Sequence, residues 1–162
     1  MGLLDFLTYD GRLRRHARRA ANRDVQQEDR EASIQWLHKD ASPKALVALL
    51  ARFDVNLSSQ IKDIAEKERL LDLLAQHRAD LGEPLRHWLR QCKQFAFPLR
   101  LLESTEGTEA AILMAYELLE VEARKSAFHP DKKRDLLVWL AERRHPGAIA
   151  AARPFLADFD ET

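Results

Sequence analysis

The sequence predicts an all-α protein: a single-domain, right-handed stack of about four antiparallel helical hairpins. Three observations lead there. A helix–turn–helix unit recurs, with Arg30–Leu50 answered by Lys133–Leu156, and in both copies Pro follows Trp by seven residues (Trp36 and Pro43, Trp139 and Pro146). Apolar residues fall at i, i+3 and i+4 along most of the chain, with no run alternating as a strand would. Charged residues make up 32% of the 162 and glycines number five, a profile of solvated helices joined by short turns.

The elements follow in order. Leu3, Leu4, Phe6 and Leu7 form a short apolar start that reads as a cap over the first hairpin, with docking to a partner as the alternative. Asp10 is placed to cap a helix running to about Asn22, with Leu13, Ala17 and Ala20 inward. Residues 1–28 are thus assigned as capping helices, 29–158 as repeats and 159–162 as an acidic tail. The first hairpin pairs a helix over 29–40 with one over 43–53 across Ala41-Ser42, and Pro43 suits the first helical position, where its missing N–H has no partner anyway. Residues 55–66 read as a loop with an extra turn. The second hairpin joins a helix from Lys67 to one starting at Pro84, through a loop at Ala79–Glu83. A third breaks at Glu106-Gly107 before a helix over about 108–122. The fourth opens at His129-Pro130 and ends near Asp158.

These antiparallel pairs, with an Arg or Asp before the apolar run and a Pro-started second helix, resemble HEAT-type repeats, most of all the short HEAT-like units of the bacterial phycobilisome-lyase type. Arg30–Leu50 and Arg134–Leu156 carry the resemblance, and Arg69–Leu89 carries it more weakly. It implies an armadillo-like α-solenoid whose second helices line a concave face. Relatives scaffold proteins, assist bilin attachment or, in one branch, excise alkylated bases; no residue here matches a catalytic role from the family.

Charge patterning suggests where a partner would sit. Arg86, Arg90 and Lys93 lie at i, i+4 and i+7, and on a concave face they would meet Lys44 and Arg52, forming a basic groove for an acidic protein segment. Arg12, Arg14, Arg15, Arg18, Arg19 and Arg23 crowd one short helix that could contact phosphates, although Asp24, Glu28, Asp29 and Glu31 follow and suggest local pairing. Glu103–Glu122 holds six Glu and no cation, so opposed charge blocks also allow head-to-tail contact between copies.

The remaining signals point away from catalysis. Trp36, Trp88 and Trp139 share faces with leucines and are expected in the core. His38, His77 and His145 fall near helix C-termini, where an imidazole can meet free carbonyls. No histidine pair has metal-ligand spacing and Cys92 stands alone on an apolar face, so neither a metal nor a cofactor is expected. Equal numbers of basic and acidic residues, 26 each, leave no global field for nucleic acid or an anionic membrane. The apolar runs are too short to cross a bilayer, Met1–Leu7 lacks the basic region of a signal peptide, and a single cysteine suits a reducing cytoplasm. The function expected is a non-enzymatic scaffold holding a protein partner on its concave face; the alternative is nucleic-acid binding or base excision through Arg86, Arg90 and Lys93.

Overall fold

A computed structural model describes residues 8–124, 130–147, 149, 150 and 153, and every regular element among them is helical. In chain order these are α1 (Tyr9–Ala20), α2 (Gln27–Asp40), α3 (Pro43–Leu50) followed by a 3-10 turn (Ala51–Asp54), α4 (Gln60–Ala75), α5 (Arg78–Leu89), α6 (Ala96–Glu106), α7 (Thr108–Ala123) and α8 (Pro130–Glu142). The chain divides into two compact units, residues 1–88 and 89–162. The apolar start at Leu3–Leu7, the opening of the fourth hairpin at His129 and the acidic tail lie outside the described residues.

In the first unit, local chemistry sets the helix ends. Thr8, not Asp10, caps α1: its Oγ1 accepts from the Gly11 N–H at 3.0 Å. Asp10 stands in the first turn, where its charge suits the helix dipole. α2 ends at Ala41, which is left-handed at φ 52°, and Ser42 then caps α3 with Pro43 at its first position. Ser59 caps α4, which therefore starts at Gln60, so most of the stretch expected as loop over 55–66 is helix. That helix was hidden because its buried positions include Asp63 and Lys67 beside Leu70, Leu71 and Leu74, and charged residues do not register as an apolar stripe.

The expected loop at Ala79–Glu83 is also helical. α5 runs from Arg78 through Pro84, which sits inside the helix. A proline there forfeits one hydrogen bond and crowds the preceding turn. Leu81, Leu85 and Leu89, spaced by four and wholly buried, outweigh that cost. The weaker copy of the repeat, Arg69–Leu89, therefore lacks the Pro-started helix that defined it. The core of this unit gathers Ile34, Leu37, Leu46, Leu49, Leu50 and Phe53 with the α4 leucines; α1 packs on α2 and α3, and α2 and α3 pack on α4.

The second unit follows its apolar pattern closely. Gly107 separates α6 from α7 at φ 97°, a conformation an L side chain rarely adopts, and its N–H closes α6 on the Glu103 carbonyl at 3.0 Å. Leu99, Leu101 and Leu102 of α6 meet Ile112, Met114, Ala115, Leu118 and Leu119 of α7, and α8 adds Leu136, Trp139 and Leu140. Cys92 is buried as expected, its Sγ directed at the Leu89 carbonyl. The Arg143 guanidinium lies 3.4 Å from the Trp139 ring centroid and pairs with Glu103 at 2.6 Å, holding the Glu103 carboxyl below the usual range.

Candidate binding surface

Of the residues expected to line a basic groove, Lys44, Arg52, Arg86, Arg90 and Lys93, the structure withdraws Arg52 from the surface. Arg52 is completely buried: Nε donates to Glu66 Oε1 at 2.6 Å, Nη2 to Asp63 Oδ1 at 2.8 Å and Nη1 to the Val55 carbonyl at 2.7 Å. α5 ends at Leu89, so Arg90 and Lys93 lie beyond the helix that carries Arg86. Arg90 pairs with Glu117 at 2.8 Å, and Arg86 and Lys93 are also engaged. Lys44 is exposed and pairs with Asp10 at 3.1 Å. Sequence spacing missed the helix end and could not register that the arginine between Ala51 and Phe53 was pointing inward.

What Arg52 joins is a buried ionic network. Arg30 grips Glu66 with Nε at 2.8 and 2.9 Å and gives Nη1 to the Val25 carbonyl. Lys67 pairs with Asp63 Oδ2 at 2.8 Å and donates to Asn56 Oδ1 at 3.0 Å, while the Leu57 N–H also donates to Asp63. Burial works against ionisation of both carboxylates, but bonds from Lys67 and Arg52 on Asp63, and from Arg30 and Arg52 on Glu66, hold each below its ordinary pKa. The network fastens α2, the 3-10 turn, the 55–59 segment and α4 together. Beside it lies a shallow cleft of about 470 Å³ lined by residues 21–24 and 54–56.

The exposed charge concentrates on α1. Leu13 and Ala20 turn inward, while Arg12, Arg14, Arg15, Arg18 and Arg19 remain exposed. Of the expected pairing with the following acidic residues, Arg23 meets Asp24 at 3.6 Å, whereas Glu31 pairs with Arg69; Arg14 is engaged as well. Arg12, Arg15, Arg18 and Arg19 make no ion pair or hydrogen bond among the described residues. Arg12, Arg15 and Arg19, at i, i+3 and i+7, share one face spanning about 10 Å.

His16 stands beside that face. Its ring stacks on Trp36 with centroids 4.4 Å apart and planes 13° from parallel, and Nδ1 lies 3.2 Å from Ser33 Oγ. Because Ser33 gives its own proton to the Asp29 carbonyl, His16 Nδ1–H is the donor. Burial, then the field of Arg15, Arg19 and Arg12, lowers the His16 pKa. Trp36 is thus half-buried under an imidazole rather than sealed in the core, and only Trp139 meets the expectation of a buried tryptophan in full. Trp88 is half-buried, and its Nε1 and that of Trp139 are enclosed without a hydrogen-bond partner among the described residues.

Three other histidines bond to ring side chains, not to the helix-end carbonyls anticipated. His145 Nδ1 lies 2.6 Å from the Tyr116 hydroxyl and also accepts from the Gly147 N–H at 3.2 Å; a Cβ on Gly147 would come 2.6 Å from that hydroxyl. His77 Nε2 meets His38 Nδ1 at 2.9 Å, residues 39 apart in sequence. No cluster of three or more metal-ligating side chains occurs among the described residues, and no described helix is long and apolar enough to cross a membrane. No family model, curated protein or solved structure matches the chain.

Proposed function

We propose that this chain is a non-enzymatic, HEAT-like helical adaptor of the cytoplasm, and that it holds an acidic segment of a protein partner on the Arg12–Arg15–Arg19 face of α1. The observation that carries the reading is the absence of ionic partners for these exposed arginines among the described residues, in a unit whose buried cations are all bonded. Guanidinium groups pair with carboxylates in bidentate fashion, and a face about 10 Å long suits a few carboxylates on one short segment. The zero net charge gives the molecule no general attraction for polyanions, so recognition of this kind is local. Short turns such as Ala41-Ser42 and Gly107 between packed helices support the repeat-like architecture.

A fluorescent twelve-residue glutamate peptide tests the reading against a short DNA duplex of matched length. The peptide is expected to bind the parent, and to bind an Arg12→Glu, Arg15→Glu, Arg19→Glu variant at least tenfold more weakly. Binding to the duplex alone, with a steep dependence on salt, would transfer α1 to the nucleic-acid class. Loss through reversal of Arg86, Arg90 and Lys93 instead would restore the groove read from sequence.

A further inference from the structure

We infer that the His38–His77 contact is a proton-sensitive clasp, holding the last turn of α2 to the turn between α4 and α5 and opening when both rings are fully protonated. The geometry is specific. Nδ1 of His38 and Nε2 of His77 face one another at 2.9 Å, with the ring planes 67° apart, in a partly buried setting. An N–H···N bond at that distance holds one proton between the facing nitrogens, since one nitrogen must supply a lone pair. The bond survives a first added proton if the ring that takes it is the donor. A second proton removes the acceptor and sets two cations against each other.

The surroundings offer no relief. Neither ring is hydrogen-bonded or ion-paired to a carboxylate among the described residues. The charged residues along the two segments are Lys39 and Asp40 on α2, and Arg78 and Asp80 on α5. Asp40 is committed to the Tyr9 hydroxyl and to Ser42, and Lys44 to Asp10. Burial first, then His77 and Lys39, lowers the His38 pKa. His16, in the same unit, provides a contrast: its bond to Ser33 uses the proton it already carries, so a proton added at Nε2 breaks neither that bond nor the stack on Trp36.

The linkage sign follows. A histidine whose folded pKa is lowered contributes stability that is present above its unfolded value, near 6.5, and that diminishes as pH falls through that value toward the folded one. Each proton the folded chain refuses lowers the folding constant by up to about tenfold per pH unit within that window. The test uses the whole chain. Ring-nitrogen NMR from pH 8 to pH 4 should show the pair titrating as a coupled unit, with the second proton entering below the ordinary histidine range. Melting at pH 7 and pH 5 should show a smaller acid loss for His38→Asn with His77→Gln, amides that keep the bonding positions but cannot titrate. His16→Gln in both backgrounds removes that ring's share. Two rings titrating independently near 6.5 would overturn the clasp, as would an equal acid loss with and without the amide pair. If the amide variant fails to fold, the nitrogen titration of the parent decides alone.

Discussion

The two units of this chain bury different chemistry. Residues 8–88 enclose Arg30, Arg52, Asp63 and Lys67 together with their leucines, and Glu66 completes the network. The described part of residues 89–162 has an interior dominated by Leu, Met, Ala and Trp, with Glu122 and Lys133 as its buried charged groups. The contrast explains which elements a reader of the sequence can locate. Hydrophobic periodicity detects a helix by the stripe it buries, so α7 emerges within a residue of its observed ends and the break before it falls at Gly107 as read. α4 buries Asp63 and Lys67 among its leucines, and its first two turns look like polar loop. The same blindness sent Arg52 to a surface groove.

The largest expected effects set the two kinds of interior side by side. Arg52→Ala leaves Asp63 and Glu66 buried with fewer partners and should destabilise by about 3–5 kcal/mol, as broken buried pairs do. Trp139→Ala should cost a similar ~3–5 kcal/mol through a cavity. Acid separates them. The Asp63 and Glu66 pKa values are depressed from ordinary values of 3.8 and 4.5, so their contribution is full above about pH 4.5 and is lost as pH falls through their folded values. The acid sensitivity of the parent below pH 4.5 should therefore flatten in Arg52→Ala and persist in Trp139→Ala, read by denaturant titration at pH 7 and pH 3.

Pro84→Ala comes next, and it runs in the stabilising direction. If Pro84 began a helix, alanine would gain nothing; inside α5 it should add about 1–3 kcal/mol by restoring an N–H and relieving the crowded turn. An unchanged or lower melting temperature would return the helix start to Pro84. Trp36→Ala should cost clearly less than Trp139→Ala, since Trp36 is half-exposed under His16; equal losses would put both tryptophans in one class. The smallest effect belongs to Arg12→Glu with Arg15→Glu and Arg19→Glu, which should move the melting temperature by no more than about 2 °C in either direction. A larger fall would mean that α1 uses these arginines to hold itself in place.

The candidate surface was half readable. The arginine cluster of α1 is plain in the sequence, but the lack of ionic partners at Arg12, Arg15 and Arg19 is not, because pairing depends on where Glu31 and Asp29 point after α2 folds. Glu31 turns to Arg69, a residue 38 positions away, and Asp29 presents its carbonyl to Ser33. The His38–His77 and Tyr116–His145 contacts were equally out of reach: each joins residues far apart in sequence, and no spacing rule relates them.

The ionic network also constrains how this protein can change over generations. Any single replacement among Arg30, Arg52, Asp63, Glu66 and Lys67 strands a charge away from water, whereas exchange of the whole set for apolar residues of matching volume can be neutral. Drift at these positions is therefore a valley that one-step substitutions cannot cross. In a collection of descendants the five should be inherited as a block or be lost as one, while the leucines around α6 and α7 trade singly with Ile, Met or Val. That signature would identify a relative of this chain even where overall similarity has faded.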